Sequence, residues 1–226
     1  MKSKIIFSFL CSMVCAIFLF LGCGSDLMTD CEKRVSDIRE NYFQGQTENY
    51  FVSFSSGMRE SPYELDGICN EKVEFGVVTI VPKKTEEQKG LTYIVSVNDK
   101  EHSGEFETSP FDDSYAGDIG VKVGASDVIT IKISDGSSEE IASMTCVTCD
   151  FDVDALSALQ LAVEEVGNNL QDLMVHKNFE IYIKVVADIK QVVENKYWLV
   201  MFYCECGEFV NVIINPETGD CEVKNV

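Results

Sequence analysis

Apolar and polar positions along the chain change period several times, and each change predicts an element. From Ile5 to Leu21 the run is uncharged. Leu27, Cys31, Val35, Ile38 and Tyr42 then recur at steps of four, four, three and four. That spacing keeps one face of a helix apolar, so residues 31–45 are expected to form an amphipathic helix. Further on, Tyr50, Val52 and Phe54 alternate with polar neighbours, followed by Val73–Val81, by Leu91, Tyr93, Val95 and Val97, and by Ile129, Ile131 and Ile133. A period of two, broken by Gly, Asp, Asn, Ser and Pro clusters, marks strands, because successive side chains of an extended backbone point to opposite faces. The helical period returns at Leu156, Leu159, Val163, Val166, Leu170 and Leu173, with Asp152 or Asp154 as its cap. Gly167, Asn168 and Asn169 weaken the middle of that helix, where an end or a kink is expected. Alternation resumes at Phe179, Ile181, Ile183 and Val185; Tyr197–Glu205 is apolar on both faces, and Phe209–Asn215 and Cys221–Lys224 complete a meander.

These elements predict an α+β chain in five parts. Residues 1–22 form a signal segment, 23–30 an anchor and spacer, and 31–45 the amphipathic helix. Residues 46–148 are expected to form an antiparallel β-sandwich of immunoglobulin-like kind, although the Cys, Trp, Cys pattern of true immunoglobulin domains is absent. Residues 149–226 are expected to pack one helix on a three- or four-stranded antiparallel meander.

The flanks of the first apolar run give the chain an address. Lys2 and Lys4 precede it, and the small residues Gly22, Cys23, Gly24 and Ser25 follow, which is the three-part layout of a secretory signal. Basic residues are retained on the cytoplasmic side, so the remainder is expected to face outward. The cysteine that closes the run, with Gly22 before it, resembles a bacterial lipoprotein signal, although Phe20 and Leu21 are bulkier than that family's usual residues. The resemblance implies lipidation of Cys23 and a lipid anchor on the outer face of the cytoplasmic membrane. On the residues alone, an uncleaved transmembrane anchor, or cleavage and release, stay open beside it.

Charge narrows the partners. The 226 residues hold 18 Lys and Arg against 38 Asp and Glu, a formal net charge of −20. Such a field repels phosphate backbones and excludes nucleic acid. Beyond Cys23 lie Cys31, Cys69, Cys146, Cys149, Cys204, Cys206 and Cys221, an odd set that leaves at least one thiol unpaired. Their pairing is open. Buried or free thiols are the expected fate, disulfides the next, and zinc held by Cys146, Cys149, Cys204 and Cys206 the last, level with a redox-active Cys146/Cys149 pair, which lacks the strand-turn-helix setting of thioredoxin-like motifs. Asp150, Asp152 and Asp154 begin like a calcium loop, but Ala155 and Leu161 replace the glycine and glutamate that such a loop needs. His102 and His176 have no nucleophile motif beside them, and Asp112 and Asp113 read as a solvated loop. No catalytic residue, cofactor or metal is expected. The expected function is a non-enzymatic, membrane-held surface protein that binds a protein, a peptide or a wall component.

The second helix, its meander and the ending Ile214, Asn215, Pro216, Glu217, Thr218, Gly219, Asp220 resemble the PepSY family of extracytoplasmic bacterial domains. That resemblance implies a partner role toward a secreted peptidase, as inhibitor or chaperone.

Overall fold

The computed structural model describes residues 27–84, 90–110, 112–175, 179–190, 196–205 and 207–225. The signal segment, Cys23, His176 and Cys206 lie outside the described residues.

Strands dominate. In chain order they are β1 (Val35–Gln46), β2 (Tyr50–Glu60), β3 (Lys72–Pro82), β4 (Thr92–Val97), β5 (Lys100–Glu105), β6 (Glu107–Thr108) and β7 (Tyr115–Ile119). There follow β8 (Ile129–Ser134), β9 (Glu139–Ser143), β10 (Thr145–Cys146), helix α1 (Ala155–Val175), β11 (Phe179–Val186), β12 (Tyr197–Cys204), β13 (Phe209–Ile214) and β14 (Cys221–Asn225). One sheet runs β14-β13-β12-β11-β1-β2-β3-β7-β6, with β10 also paired to β1; a second runs β5-β4-β8-β9.

Strand β1 joins the two ends of the chain. It lies antiparallel to β2 along one edge, and on the other it meets β11 in parallel through Val35↔Ile181 and Ile38↔Ile183. Farther along, Phe43↔Cys146 pairs it with β10. The long sheet therefore runs without a break from residues 35–82 into residues 179–225.

Alternation along each strand places two cores. Val52, Phe54, Val78 and Ile80 of the long sheet pack with Val95, Ile129, Ile131 and Ile133 of the short one. In the other core, Leu159, Val163, Val166 and Leu170 of α1 cover Ile181, Ile183, Trp198, Val200, Phe202, Val212 and Ile214. The expected α+β class, with one helix on a four-stranded antiparallel meander, is present. Asp154 Oδ1 accepts the Ser157 N–H at 2.7 Å, capping α1, and the helix runs on through Gly167 to Val175 rather than ending there.

The amphipathic helix expected over 31–45 is not formed. Helix is confined to 27–32, and the chain then extends into β1. The cause is a pair of irregularities in the ladders, one between Val35 and Asp37 against β11, the other between Ile38 and Asn41 against β2. Each inserts a residue, so the inward positions Val35, Ile38 and Tyr42 step by three and four instead of two. That imitates a helix. Gly57 sits beside the second irregularity, where an added Cβ would lie 1.8 Å from the Ile38 carbonyl oxygen.

Candidate functional site

The outer face of the long sheet carries what the cores exclude. Opposite Val52, Phe54, Val78 and Ile80, strands β2 and β3 present Ser53, Ser55, Thr79 and Val81. Across β1, Lys184 and Val186 of β11 occupy positions opposite Ile183. The segments after β11 and before β7 rim this area and close a cavity of about 400 Å³, lined by Arg39, Tyr42, Ser53, Ser55, Thr79, Asp112, Ser114 and Lys184, with Val81, Val185 and Val186 as apolar wall.

Most of its polar groups are held in place. The Arg39 guanidinium meets Asp37 at 3.2 Å and donates to Ser55 Oγ at 3.4 Å. Gln44 Nε2 donates to the Tyr42 hydroxyl at 3.3 Å and to the Asp188 carbonyl at 3.5 Å, fixing the segment after β11 over β1. The Ser114 hydroxyl and N–H both donate to Asp112 Oδ1, and these bonds hold the Asp112 carboxyl below the usual carboxylate range.

Lys184 differs from them. Its ammonium makes no hydrogen bond or ion pair among the described residues. Burial first, then the nearby Arg39, push its pKa below the usual lysine value, against the pull of Asp37. Two cations, one of them paired with Asp37, thus share one concavity with the Asp112 carboxyl and a ring of hydroxyls, in a chain of net charge −20. The arrangement suits an anionic, hydroxyl-bearing group, with hydroxyls to orient it and the valine wall to cover its apolar side.

Nearby, under the loop after β2, two carboxyls are enclosed: Glu180 is fully buried and Glu60 is 3% exposed. The Tyr182 hydroxyl donates to Glu180 Oε2 at 3.1 Å and lies 2.6 Å from the Tyr63 hydroxyl. Glu60 Oε1 accepts the Asn70 N–H at 2.9 Å. Glu180 Oε1 and Glu60 Oε2 are buried without a hydrogen-bond partner among the described residues. Burial raises the Glu180 pKa and the Glu60 charge adds to it, while the Tyr182 hydroxyl opposes. This cluster favours a bound proton on Glu180.

The residues singled out in the sequence scatter. Cys146 and Cys149 form a disulfide, and Cys204 is also disulfide-bonded. The expectation of buried or free thiols fails for these three and holds for Cys31, Cys69 and Cys221. For the first pair the reason is local: the 3-10 turn Thr148–Asp150 curls the chain so that the two Cα atoms lie 5.6 Å apart. Cys31 sits in the core beneath α1, where burial pushes its thiol up to about 11. Among the described residues, no group of three His, Cys, Asp or Glu side chains is placed to hold a metal ion. His102 lies on β5 opposite Val95, remote in register from the cavity strands.

In the β13–β14 turn, Asn215 Oδ1 accepts the N–H groups of Glu217 and Thr218, and Thr218 Oγ1 donates to Asp220 Oδ2 at 2.7 Å. The Pro216 carbonyl accepts from Asp152 and Val153, docking the turn beside the start of α1. These polar groups are used in closing and seating the turn. Among the described residues no helix is long and apolar enough to cross a membrane.

Lys184 and Arg39, the cations of the cavity, carried no sequence signal, since a charged residue at an outward strand position reads as solvated. Compared with protein-family models, curated proteins and solved structures, the chain matches none of them.

Proposed function

We propose that this protein is an exported, non-enzymatic binding protein, tethered at the outer face of the cytoplasmic membrane through Cys23. In this reading its ligand is a small anionic compound, or an anionic group on a larger one, carrying hydroxyls or amides. The two-sheet part serves as a scaffold of immunoglobulin-like kind, and the ligand lies in the cavity over β11, β1, β2 and β3.

One observation carries the reading: Lys184 is a half-buried cation with no hydrogen bond or ion pair among the described residues, lining a cavity of about 400 Å³ beside Arg39. A lysine so placed bears a desolvation cost that a carboxylate would offset. The surrounding acidity supports the same view, because on a surface of net charge −20 an anion gains only where cations are gathered and partly dried.

Melting curves of the full-length protein test it, recorded with matched pairs of charged and neutral probes: glucuronate against glucose, and N-acetylalanine against its amide. The charged member of at least one pair is expected to raise the midpoint, and Lys184→Gln to abolish that rise. Equal shifts from charged and neutral members, or a rise that survives Lys184→Gln, would show that the cavity does not bind the anion.

A further inference from the structure

The Cys146–Cys149 bridge spans three residues in sequence, and the turn that holds it has other supports. The Val147 N–H donates to the Tyr42 carbonyl at 2.8 Å, the Tyr42 N–H donates to Thr148 Oγ1 at 3.2 Å, and the Asp150 N–H bonds the Val147 carbonyl at 3.3 Å. Val147 is buried, and Cys146 is paired with Phe43 in the sheet. A bridge across so short a loop removes little entropy from the unfolded chain. The turn therefore keeps both sulfurs adjacent whether or not they are bonded.

The two sulfurs are unequal. Cys149 is exposed, whereas Cys146 is half-buried against the core between the two sheets. An incoming thiolate reaches Cys149 first. Behind it, Thr148 Oγ1 lies 3.7 Å from Cys146 Sγ. That oxygen already accepts from Tyr42, so its own hydrogen is free to donate to a sulfur that gains charge. Stabilising the departing thiolate speeds exchange, because a leaving thiol of lower pKa leaves faster.

We propose that Cys146 and Cys149 form an exchangeable pair that oxidises a dithiol, with Cys149 the sulfur attacked and Cys146 the sulfur released. A thiolate of the dithiol attacks Cys149 Sγ. The bond between the two cysteine sulfurs breaks, and its electron pair leaves on Cys146, held by Thr148. The second thiol of the partner, deprotonated, then attacks the partner sulfur of the mixed disulfide and releases Cys149 as thiolate. The dithiol departs as a disulfide, its two electrons rest on Cys146 and Cys149, and its two protons are taken up by these thiolates. Exposed Asp150 and Asp152 beside the pair, in a chain of net charge −20, select a partner whose thiols lie near positive charge.

The first step is testable on the full-length protein. Aliquots are treated with cysteamine, a cationic thiol, or with the anionic 2-mercaptoethanesulfonate, then acid-quenched, alkylated and mapped by peptide mass. The adduct is expected on Cys149 with Cys146 alkylated, appearing before the disulfide of buried Cys204 opens. Cysteamine should react about tenfold faster than the sulfonate at low salt, with the ratio shrinking at 1 M salt. Thr148→Val should slow opening about fivefold, while Thr148→Ser, which keeps the hydroxyl, retains the rate. Adducts on Cys146, opening that coincides with that of Cys204, a salt-independent ratio, or an unchanged rate in Thr148→Val would each overturn the proposal.

Discussion

At Glu180 a carboxyl is enclosed, and burial raises its pKa above the ordinary 4.5. A carboxyl whose folded value is raised contributes stability that is full below the unfolded value and is lost as pH rises through the folded one. Glu180→Gln keeps an acceptor for the Tyr182 hydroxyl and removes the titration. In urea unfolding, wild type and variant should agree near pH 4, and wild type should fall progressively below the variant as pH rises. Parallel curves across that range would contradict the placement. Asp154 has the opposite sign: the Ser157 N–H lowers its pKa, so its cap is present above 3.8 and is lost on acidification below it. Asp154 was legible in the sequence because a cap and its helix are adjacent. Glu180 and Lys184 were not, since alternation says only that they face away from Ile181 and Ile183. What covers them comes from residues 60–63 and 112–114, far away along the chain.

Among elements, α1 and β11 to β13 follow their sequence periods closely, because each is regular and turns its periodic apolar positions to one core. Strand β1 is the exception, and its two inserted residues explain why its apolar spacing reads as helical. The irregularity beside Gly57 leaves no room for a side chain there. Gly57→Ala should therefore cost about 2–3 kcal/mol in chemical denaturation, as overpacking against a fixed backbone does. A neutral result would mean that β1 does not bulge toward β2 at this point.

For the molecule as a whole, the parallel contact of β1 with β11 is decisive. A two-unit division at residue 149 follows the change of pattern in the sequence, yet the core beneath α1 draws Cys31, Val35 and Ile38 from the chain's beginning. Strand order over such a separation has no local signature. Residues 149–226 alone would expose the β11 edge and lose those three side chains. That fragment should show no cooperative unfolding by circular dichroism, whereas residues 27–226 should unfold cooperatively. A cooperative fragment would show that β1 is dispensable to the helix-and-meander core.

Joining the two parts also creates the cavity, since Lys184 comes from one and Arg39, Ser53, Ser55 and Thr79 from the other. Anion binding in this cavity is measured by calorimetric titration of glucuronate into the full-length protein. A saturable isotherm is expected, weakening with added salt and at least about tenfold weaker in Lys184→Gln, the loss expected when one charge-assisted contact is removed. An isotherm that is flat, or identical in wild type and Lys184→Gln, would contradict anion binding there.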